Sequence, residues 1–149
     1  MSQKGTTTFV LLALLAAIAS CDAGPTDANI EVTLALPAHF PEPQAPEENP
    51  LRAASIELGR HLFYDTRLSS NETIACASCH KQENAFADSV ALSIGADGST
   101  GILNAPSLAN VIYSSPLTWN HPEVASIEEQ LLGPMFGESP LEMGLTGNA

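Results

Sequence analysis

The pentapeptide Cys76-Ala77-Ser78-Cys79-His80 constrains this chain more than any other stretch, because it reads C-x-x-C-H, the attachment signature of a c-type haem. Two thiols three positions apart on a short helical turn can each form a thioether to one edge of a porphyrin. The adjacent imidazole is then held beneath the iron. The motif therefore predicts that Cys76 and Cys79 anchor one haem c and that His80 binds its iron.

Three other interpretations of the two cysteines are weaker. A redox C-x-x-C pair normally opens a helix after a buried strand, and residues 71–75 contain no such apolar run. A structural zinc site needs two more ligands at short spacing, whereas His39, His61 and His121 are scattered along the chain. A disulfide across so short a loop would be strained, and it would leave His80 unexplained.

The N-terminus predicts export. Lys4 is the single charge before an apolar run from Phe9 to Ile18, which is too short to span a bilayer comfortably and suits the core of a signal peptide. The run leads into Ile18-Ala19-Ser20-Cys21, which resembles the lipobox of bacterial lipoproteins. We expect residues 1–20 to be removed and Cys21 to be lipidated, which gives a periplasmic protein anchored to the membrane by lipid. An ordinary signal peptide that leaves Cys21 as a spare thiol is the alternative.

The net charge of the chain limits the classes of partner that it can bind. It carries 17 acidic and 5 basic side chains, a formal net charge of −12. Nucleic acid and anionic membrane surfaces are therefore disfavoured as partners, and a basic redox protein is favoured. A solvated acidic surface without any partner explains the charge equally well. The length of 149 residues suffices for one small domain and not for two full ones.

Residues 21–50 are predicted to form a Pro-rich tether that holds the domain off the membrane. Within them the alternation from Ile30 to Leu36 would allow one short strand. An extended, semi-rigid chain is favoured by five prolines, Pro37, Pro41, Pro43, Pro46 and Pro50.

Residues 51–149 are predicted to fold as a mostly α-helical, cytochrome c-like haem domain. Its first helix is expected to open with Asn49 as cap and Pro50 in the first turn. This helix is expected to pack beside the haem, because apolar residues recur on one face at Leu51, Ala54, Leu58 and Leu62.

The rest of the domain is predicted to contain one more helix and several loops. Ser126 and Glu129 form a capping box, and Gly133-Pro134 is expected to end that helix after little more than two turns. Phe86 and Ala87 are expected to cover the haem ring. The glycine-rich stretch Gly95–Gly101 predicts a plain loop, since no lysine follows it to bind phosphate.

Several stretches together are similar to one bacterial family. They are Leu58-Gly59-Arg60-His61-Leu62-Phe63-Tyr64-Asp65-Thr66-Arg67-Leu68-Ser69, the haem motif, Asn104-Ala105-Pro106-Ser107-Leu108, Trp119, Glu128-Glu129-Gln130, and Gly133-Pro134 through Glu142-Met143-Gly144. In this order they resemble the bacterial di-haem cytochrome c peroxidase and MauG family over about residues 35 to 148. Thr118-Trp119-Asn120 and residues 133–138 are similar to the MbnH-like branch, which includes a MauG-like enzyme that oxidises a tryptophan of a partner protein.

The resemblance implies roles for five residues. His80 would be the proximal ligand of the haem at which hydrogen peroxide reacts. Gln130 and Glu142 correspond to the distal pair, with Glu142 as the acid/base that moves a proton between the peroxide oxygens. Trp119 corresponds to an indole that relays electrons between two haems, and Asn104 to a ligand of calcium. The electrons would come from a redox protein or from an aromatic residue of a substrate protein.

Two departures from the family pattern carry information. The segment before Glu142 is slightly longer than in the common peroxidases, so Glu138 is an alternative for the catalytic position. Residues 90–103 contain no histidine, although peroxidases of this family that need reductive activation place a removable distal ligand there. The resemblance therefore implies an iron site that is already open to peroxide. His61 and His121 are interpreted as surface or packing residues.

The family also carries a second C-x-x-C-H domain, and this sequence contains one such motif. We expect the sequence to be the N-terminal haem domain of a longer di-haem enzyme, the alternative being a degenerate half. Two functions of other classes stay open. One is a mono-haem electron carrier with Met135 or Met143 as the second axial ligand, and the other is a non-functional remnant.

Overall fold

The computed structural model describes residues 30–43, 45–119 and 123–145. The predicted signal peptide, the lipidation candidate Cys21 and His121 lie outside these residues. Within the described part of the chain, no helix combines the length and the apolar character that crossing a membrane requires.

Helices are the regular elements of the described residues, as the sequence predicted. Helix α1 spans Ala53–Phe63, α2 spans Cys76–Cys79 and α3 spans Ile127–Phe136. Three single 3-10 turns connect them, at Thr66–Leu68, Gln82–Asn84 and Val111–Tyr113. Extended pairing among these residues is limited to isolated bridges, so long irregular segments join the helices.

Helix α1 begins later than predicted, with Arg52 as its N-cap. The reason is non-local: the N–H of Val32 donates to the carbonyl of Leu51 at 2.8 Å, and the N–H of Ala53 donates to Ile30 at 3.0 Å. These bonds hold residues 51–52 extended, so the predicted cap at Asn49 and first turn at Pro50 are wrong. The Asn49 side chain instead donates to Glu128 Oε1 at 2.9 Å, beside the start of α3.

The described part of the predicted tether lies along the domain. Besides the pairing of residues 30–32, the hydroxyl of Tyr113 donates to the carbonyl of Pro41 at 2.9 Å. The rings of Phe40 and Tyr113 meet edge to face, with centroids 5.5 Å apart. Residues 30–41 therefore contact the domain at two separate places.

Helix α3 is capped as predicted but runs further. Ser126 Oγ accepts from the N–H of Glu129 at 3.0 Å, while Glu129 Oε2 accepts from the N–H of Ala125 rather than from that of the cap itself. The predicted end at Gly133-Pro134 is wrong, because the helix continues to Phe136. A proline this close to the C-terminus removes a single intrahelical bond, and the N–H of Gly137 still reaches the carbonyl of Gly133 at 2.7 Å.

The core is small and lies next to the haem motif. Its buried residues are Ser69, Ala75, Ala96 and Met143, together with Gly95 and Gly144. Backbone bonds join the segments that carry them, such as the one from the N–H of Ser70 to the carbonyl of Met143 at 2.8 Å. Many large apolar side chains are exposed, among them Leu58 and Leu62 of the stripe predicted on α1.

Candidate haem-binding site

The haem motif forms the short helix α2, which the preceding turn holds in place. Ser78 Oγ accepts from the N–H of Ala75 at 3.0 Å at the start of the helix. The buried Ser69 hydroxyl donates to the carbonyl of Thr66 at 2.9 Å and accepts from the N–H of Ile74 at 3.3 Å. At the other end the N–H of His80 donates to the carbonyl of Cys76 at 2.9 Å. The helical turn predicted for the motif is thereby confirmed.

The two cysteines are free, half-buried thiols on this turn. Burial raises the pKa of Cys76. Burial is also the main reason for the raised pKa of Cys79, and the charge of Asp88 raises it further. Both groups are therefore held as neutral thiols at neutral pH, and thioether formation consumes the thiol group.

His80 is oriented by two backbone carbonyls. Its Nδ1 lies 2.9 Å from the carbonyl oxygen of Phe86 and 3.1 Å from that of Pro106. Both partners can only accept, so Nδ1 carries the proton and Nε2 carries the lone pair. In metal-binding histidines, an acceptor bonded to the ring nitrogen that does not bind the metal fixes the tautomer and the orientation of the ring.

A strained turn delivers the Phe86 carbonyl. Ala85 and Phe86 have φ values of 55° and 60°, in the left-handed region that residues other than glycine rarely adopt. Two hydrogen bonds hold the turn. The N–H of Phe86 donates to the carbonyl of Lys81 at 2.8 Å, and the hydroxyl of Ser107 donates to the carbonyl of Ala85 at 2.6 Å. Strain that surrounding bonds maintain in this way is typical of functional sites.

The Phe86 ring contacts helix α1. Its centroid lies 6.1 Å from that of Phe63, the last residue of the helix, in an edge-to-face arrangement. This contact is made by the end of α1, while Leu58 and Leu62 of the predicted apolar face are exposed. Packing of α1 beside the haem stays a prediction.

Glu142 is placed beside the motif by backbone bonds. Its carbonyl accepts from the N–H of Ala96 at 2.7 Å, and the N–H of Met143 donates to the carbonyl of Pro134 at 2.9 Å. Gly95 packs so closely against Leu141 that a Cβ there would lie 2.1 Å from the Leu141 carbonyl oxygen. The segment that carries Glu142 is therefore fixed on both sides.

The Glu142 carboxyl interacts electrostatically with the motif. Partial desolvation raises its pKa, and His80 acts in the opposite direction. Its charge also acts on Cys79. Glu138, the alternative candidate, lies in the exposed turn after α3, where it pairs with Leu141 in an isolated bridge. Of the two candidates for the catalytic position, Glu142 is therefore the one whose carboxyl interacts with the motif.

Gln130 lies on α3, half-buried, with its N–H donated to the carbonyl of Ser126 at 3.1 Å. The end of this helix is bonded to the Glu142 segment, where the N–H of Leu145 donates to the carbonyl of Met135 at 2.9 Å. The structure thus places Gln130 and Glu142 on adjoining elements.

Trp119 and Asn104 are brought together. Trp119 Nε1 donates to the backbone carbonyl of Asn104 at 3.2 Å, and 57% of the tryptophan is exposed. The described residues contain no group of three or more histidine, cysteine, aspartate or glutamate side chains arranged to hold a metal ion.

Sequence reasoning missed the groups that orient the motif. The carbonyls of Phe86 and Pro106 have no side-chain signature, so only the fold could identify them. Asp88 lies outside the helices, and its burial has no clear signature in the sequence: its side chain is just 4% exposed and pairs with Lys81. An aspartate shortly after the motif, followed by Ser93, was the signal available in the sequence.

The residues present fit a c-type haem. The two free thiols belong to the first and last residues of the single helical turn α2. The imidazole of His80 follows directly, with its Nε2 lone pair available. The groups thus match what thioether attachment and axial ligation require.

Comparisons with known proteins agree with this site. A crystal structure of a MauG-like protein associated with microbial copper homeostasis superposes with a TM-score of 0.76 and 44% sequence identity, over 78% of this chain and 33% of that protein. The fold is therefore that of a MauG-like cytochrome.

The sequence comparisons give the family. Residues 53–149 match the family model described as di-haem cytochrome c peroxidase, and the chain belongs to that family. The cytochrome c peroxidase Ccp of Escherichia coli is 35% identical over 109 residues, which cover 72% of this chain and 23% of that protein. The methylamine utilization protein MauG of Methylorubrum extorquens is 27% identical over 135 residues, 87% of this chain and 38% of that protein. The chain thus spans between 23% and 38% of the length of these two relatives.

Proposed function

We propose that this chain is the haem domain of a peroxide-dependent oxidoreductase in which Cys76 and Cys79 attach haem c and His80 Nε2 binds the iron. The observation that carries the proposal is the pair of carbonyls on His80 Nδ1. They point the opposite nitrogen away from the backbone in the protonation state that a metal needs. The membership of the di-haem cytochrome c peroxidase family supports the same assignment.

Haem supplies, when bound, the iron at which hydrogen peroxide is reduced. Glu142 is the proton carrier: it takes a proton from one peroxide oxygen and delivers it to the other, so that the O–O bond breaks and water leaves. Partial desolvation raises its pKa above the ordinary value, and a raised pKa makes a carboxyl a better proton donor and acceptor for such a step. Gln130 is proposed to orient the peroxide. Two electrons and two protons complete the reduction to two waters.

The electrons are proposed to come from a redox protein or from an aromatic residue of a substrate protein, through Trp119. Its exposure leaves the indole accessible from outside the described domain. Asn104, whose backbone carbonyl holds that indole, is proposed to offer its side-chain oxygen to calcium. The 44% identity with a MauG-like protein supports a MauG-like enzyme. The protein-modifying, MbnH-like branch is proposed from Thr118-Trp119-Asn120 and residues 133–138. The protein is proposed to act in the periplasm, held at the membrane through lipid on Cys21.

The test compares Glu142→Gln with Glu138→Gln in the full-length, haem-loaded protein. Removing the proton carrier is expected to lower the rate of peroxide reduction by about 10²–10⁴-fold. The Glu138 variant removes the same group from the same segment and is expected to keep the wild-type rate. The reverse result would assign the catalytic role to Glu138. Wild-type rates in both variants would contradict a mechanism in which either carboxylate carries the proton.

The ferric spectrum of the wild-type protein tests the open iron site. High-spin iron at the His80 haem is expected, because residues 90–103 contain no histidine to serve as a removable ligand. A low-spin spectrum with methionine ligation would instead support the mono-haem electron carrier, and low-spin bis-histidine iron would contradict the open site.

A further inference from the structure

A buried carboxylate lies beside the haem motif, and the proposed chemistry does not use it. The Asp88 side chain is 4% exposed. Its Oδ2 accepts from the hydroxyl of Ser93 at 2.8 Å, and its Oδ1 accepts from the N–H of Ser89 at 2.7 Å. The ammonium of Lys81 approaches Oδ1 to 3.4 Å and donates to Ser89 Oγ at 2.9 Å. Lys81 directly follows His80 in the sequence.

Asp88 is ionised in this environment. Burial alone would raise its pKa, but the hydrogen bonds from Ser93 and Ser89 and the charge of Lys81 outweigh that effect and lower the pKa. A buried charge of this kind is tolerated only where it is paired and hydrogen-bonded. The site therefore holds a fixed negative charge at neutral pH, with its positive partner closer to solvent.

Asp88 lies next to the groups that hold His80. The carbonyl of Phe86, two residues before Asp88, lies 2.9 Å from His80 Nδ1. The N–H of Asp88 donates to the carbonyl of Ala105, and the carbonyl of the next residue, Pro106, lies 3.1 Å from the same nitrogen. The carboxylate is therefore close to the proposed iron ligand, and its charge also acts on Cys79.

We infer that the buried Asp88 carboxylate, balanced by Lys81, sets the reduction potential of the haem attached through Cys79; the inference rests on the attachment proposed above. A negative charge near the iron stabilises the oxidised form, which carries one more positive charge than the reduced form. In a poorly solvated site that effect is little screened. Asp88 therefore lowers the potential, and Lys81 offsets part of the effect.

A purely structural role for Asp88 makes a different prediction. The N–H of Asp88 donates to the carbonyl of Ala105 at 3.1 Å, and Ser93 Oγ accepts from the N–H of Ala105 at 3.1 Å. The cluster thus ties two loops together, and breaking it at either end would loosen the site. Loosening would move the potential in one direction whichever charge is removed, whereas an electrostatic role gives opposite directions.

The experiment measures reduction potentials by spectroelectrochemical titration at pH 8 in the full-length, haem-loaded protein and its variants. Asp88→Asn keeps the shape of the side chain and removes the negative charge. Lys81→Gln removes the positive charge at a partly exposed position, and can be examined even where Asp88→Asn fails to fold. Asp97→Asn is the matched control, because this exposed aspartate also accepts a turn N–H, from Ser99 at 2.9 Å. Cys76→Ala/Cys79→Ala identifies the titration that belongs to this motif.

We expect a more positive potential in Asp88→Asn, a more negative one in Lys81→Gln, and the wild-type value in Asp97→Asn. Shifts of the same sign in the first two variants, or an unchanged potential in Lys81→Gln, would overturn the inference while leaving haem attachment intact. Wild-type protein without covalent haem would overturn the proposed function itself, and a haem assay on the same sample distinguishes that outcome.

Discussion

Trp119 Nε1 donates to the backbone carbonyl of Asn104 at 3.2 Å, which fixes the edge of an indole whose surface is more than half exposed. The bond orients an oxidisable ring without burying it. An exposed ring held in one orientation suits electron transfer with a group outside the domain, and the proposed relay depends on this arrangement.

Replacing Trp119 by Phe is expected to slow turnover with the electron donor and to leave the initial reaction with peroxide unchanged. Phenylalanine keeps an aromatic ring, but it loses the Nε1 donor and is much harder to oxidise. Stopped-flow mixing with peroxide and steady-state turnover separate the two steps. An unchanged steady-state rate would exclude Trp119 as the relay.

Gly95→Ala is expected to destabilise the protein by about 1–3 kcal/mol, as overpacking in a closely packed site does. The new Cβ would lie 2.1 Å from the Leu141 carbonyl oxygen, which must then move together with Glu142. Chemical denaturation measures the free energy of unfolding.

Gly59→Ala is the matched control for that substitution. A Cβ at Gly59, on helix α1, meets nothing within 4 Å. The variant should gain about 0.5–1 kcal/mol, because alanine favours the helix over glycine. A loss of stability at Gly59 as large as that at Gly95 would contradict the packing argument.

Glu142→Gln is expected to raise the melting temperature at neutral pH and to have little effect below pH 4. The folded-state pKa of Glu142 lies above its ordinary value of 4.5, because desolvation disfavours the charged form. As the pH rises from 4.5 through the folded-state pKa, the folded protein binds more protons than the unfolded chain, so stability falls. Glutamine cannot ionise and avoids that loss.

Thermal melts of wild type, Glu142→Gln and Glu138→Gln across this pH range check the sign. The Glu138 variant measures the general effect of removing one carboxylate from an acidic chain. A stabilisation by Glu142→Gln that persists unchanged at low pH would contradict desolvation as its cause.

Ser126→Ala is expected to cost about 1 kcal/mol, because it removes the side chain that accepts from the N–H of Glu129 at the start of α3. Since α3 carries Gln130, peroxide binding should weaken as well. Ser126→Asp keeps an acceptor at the cap and should retain both properties. Equal losses in the two variants would show that the cap bond is unimportant.

The local parts of the site could be predicted from the sequence, and the non-local parts could not. The turn of α2 and the cap at Ser126 follow from a few adjacent residues. The start of α1 could not be predicted, because Asn49 loses its capping role only when Leu51 pairs with Val32. The run of α3 past Pro134 depends in the same way on bonds from Gly137 and Met143 to the last carbonyls.

The orientation of His80 lies further beyond sequence reasoning. Its partners are backbone carbonyls, which every residue has. The turn that positions the Phe86 carbonyl has positive φ values at Ala85 and Phe86, and it contains no glycine from which it could be predicted. The burial of Asp88 could not be predicted either, because charged residues are usually exposed. Its burial becomes visible only when Lys81 and Ser93 are brought around it.

The bonds that hold Glu142 join segments far apart in the chain, Ser70 to Met143 and Ala96 to Glu142. Contacts of high sequence separation require a large loop to close first, and they form late in folding. We therefore expect Glu142, the proposed proton carrier, to reach its place after α2 and the turn at Ala85 and Phe86 have formed. Substitutions between Leu141 and Leu145 should accordingly speed unfolding more than they slow folding.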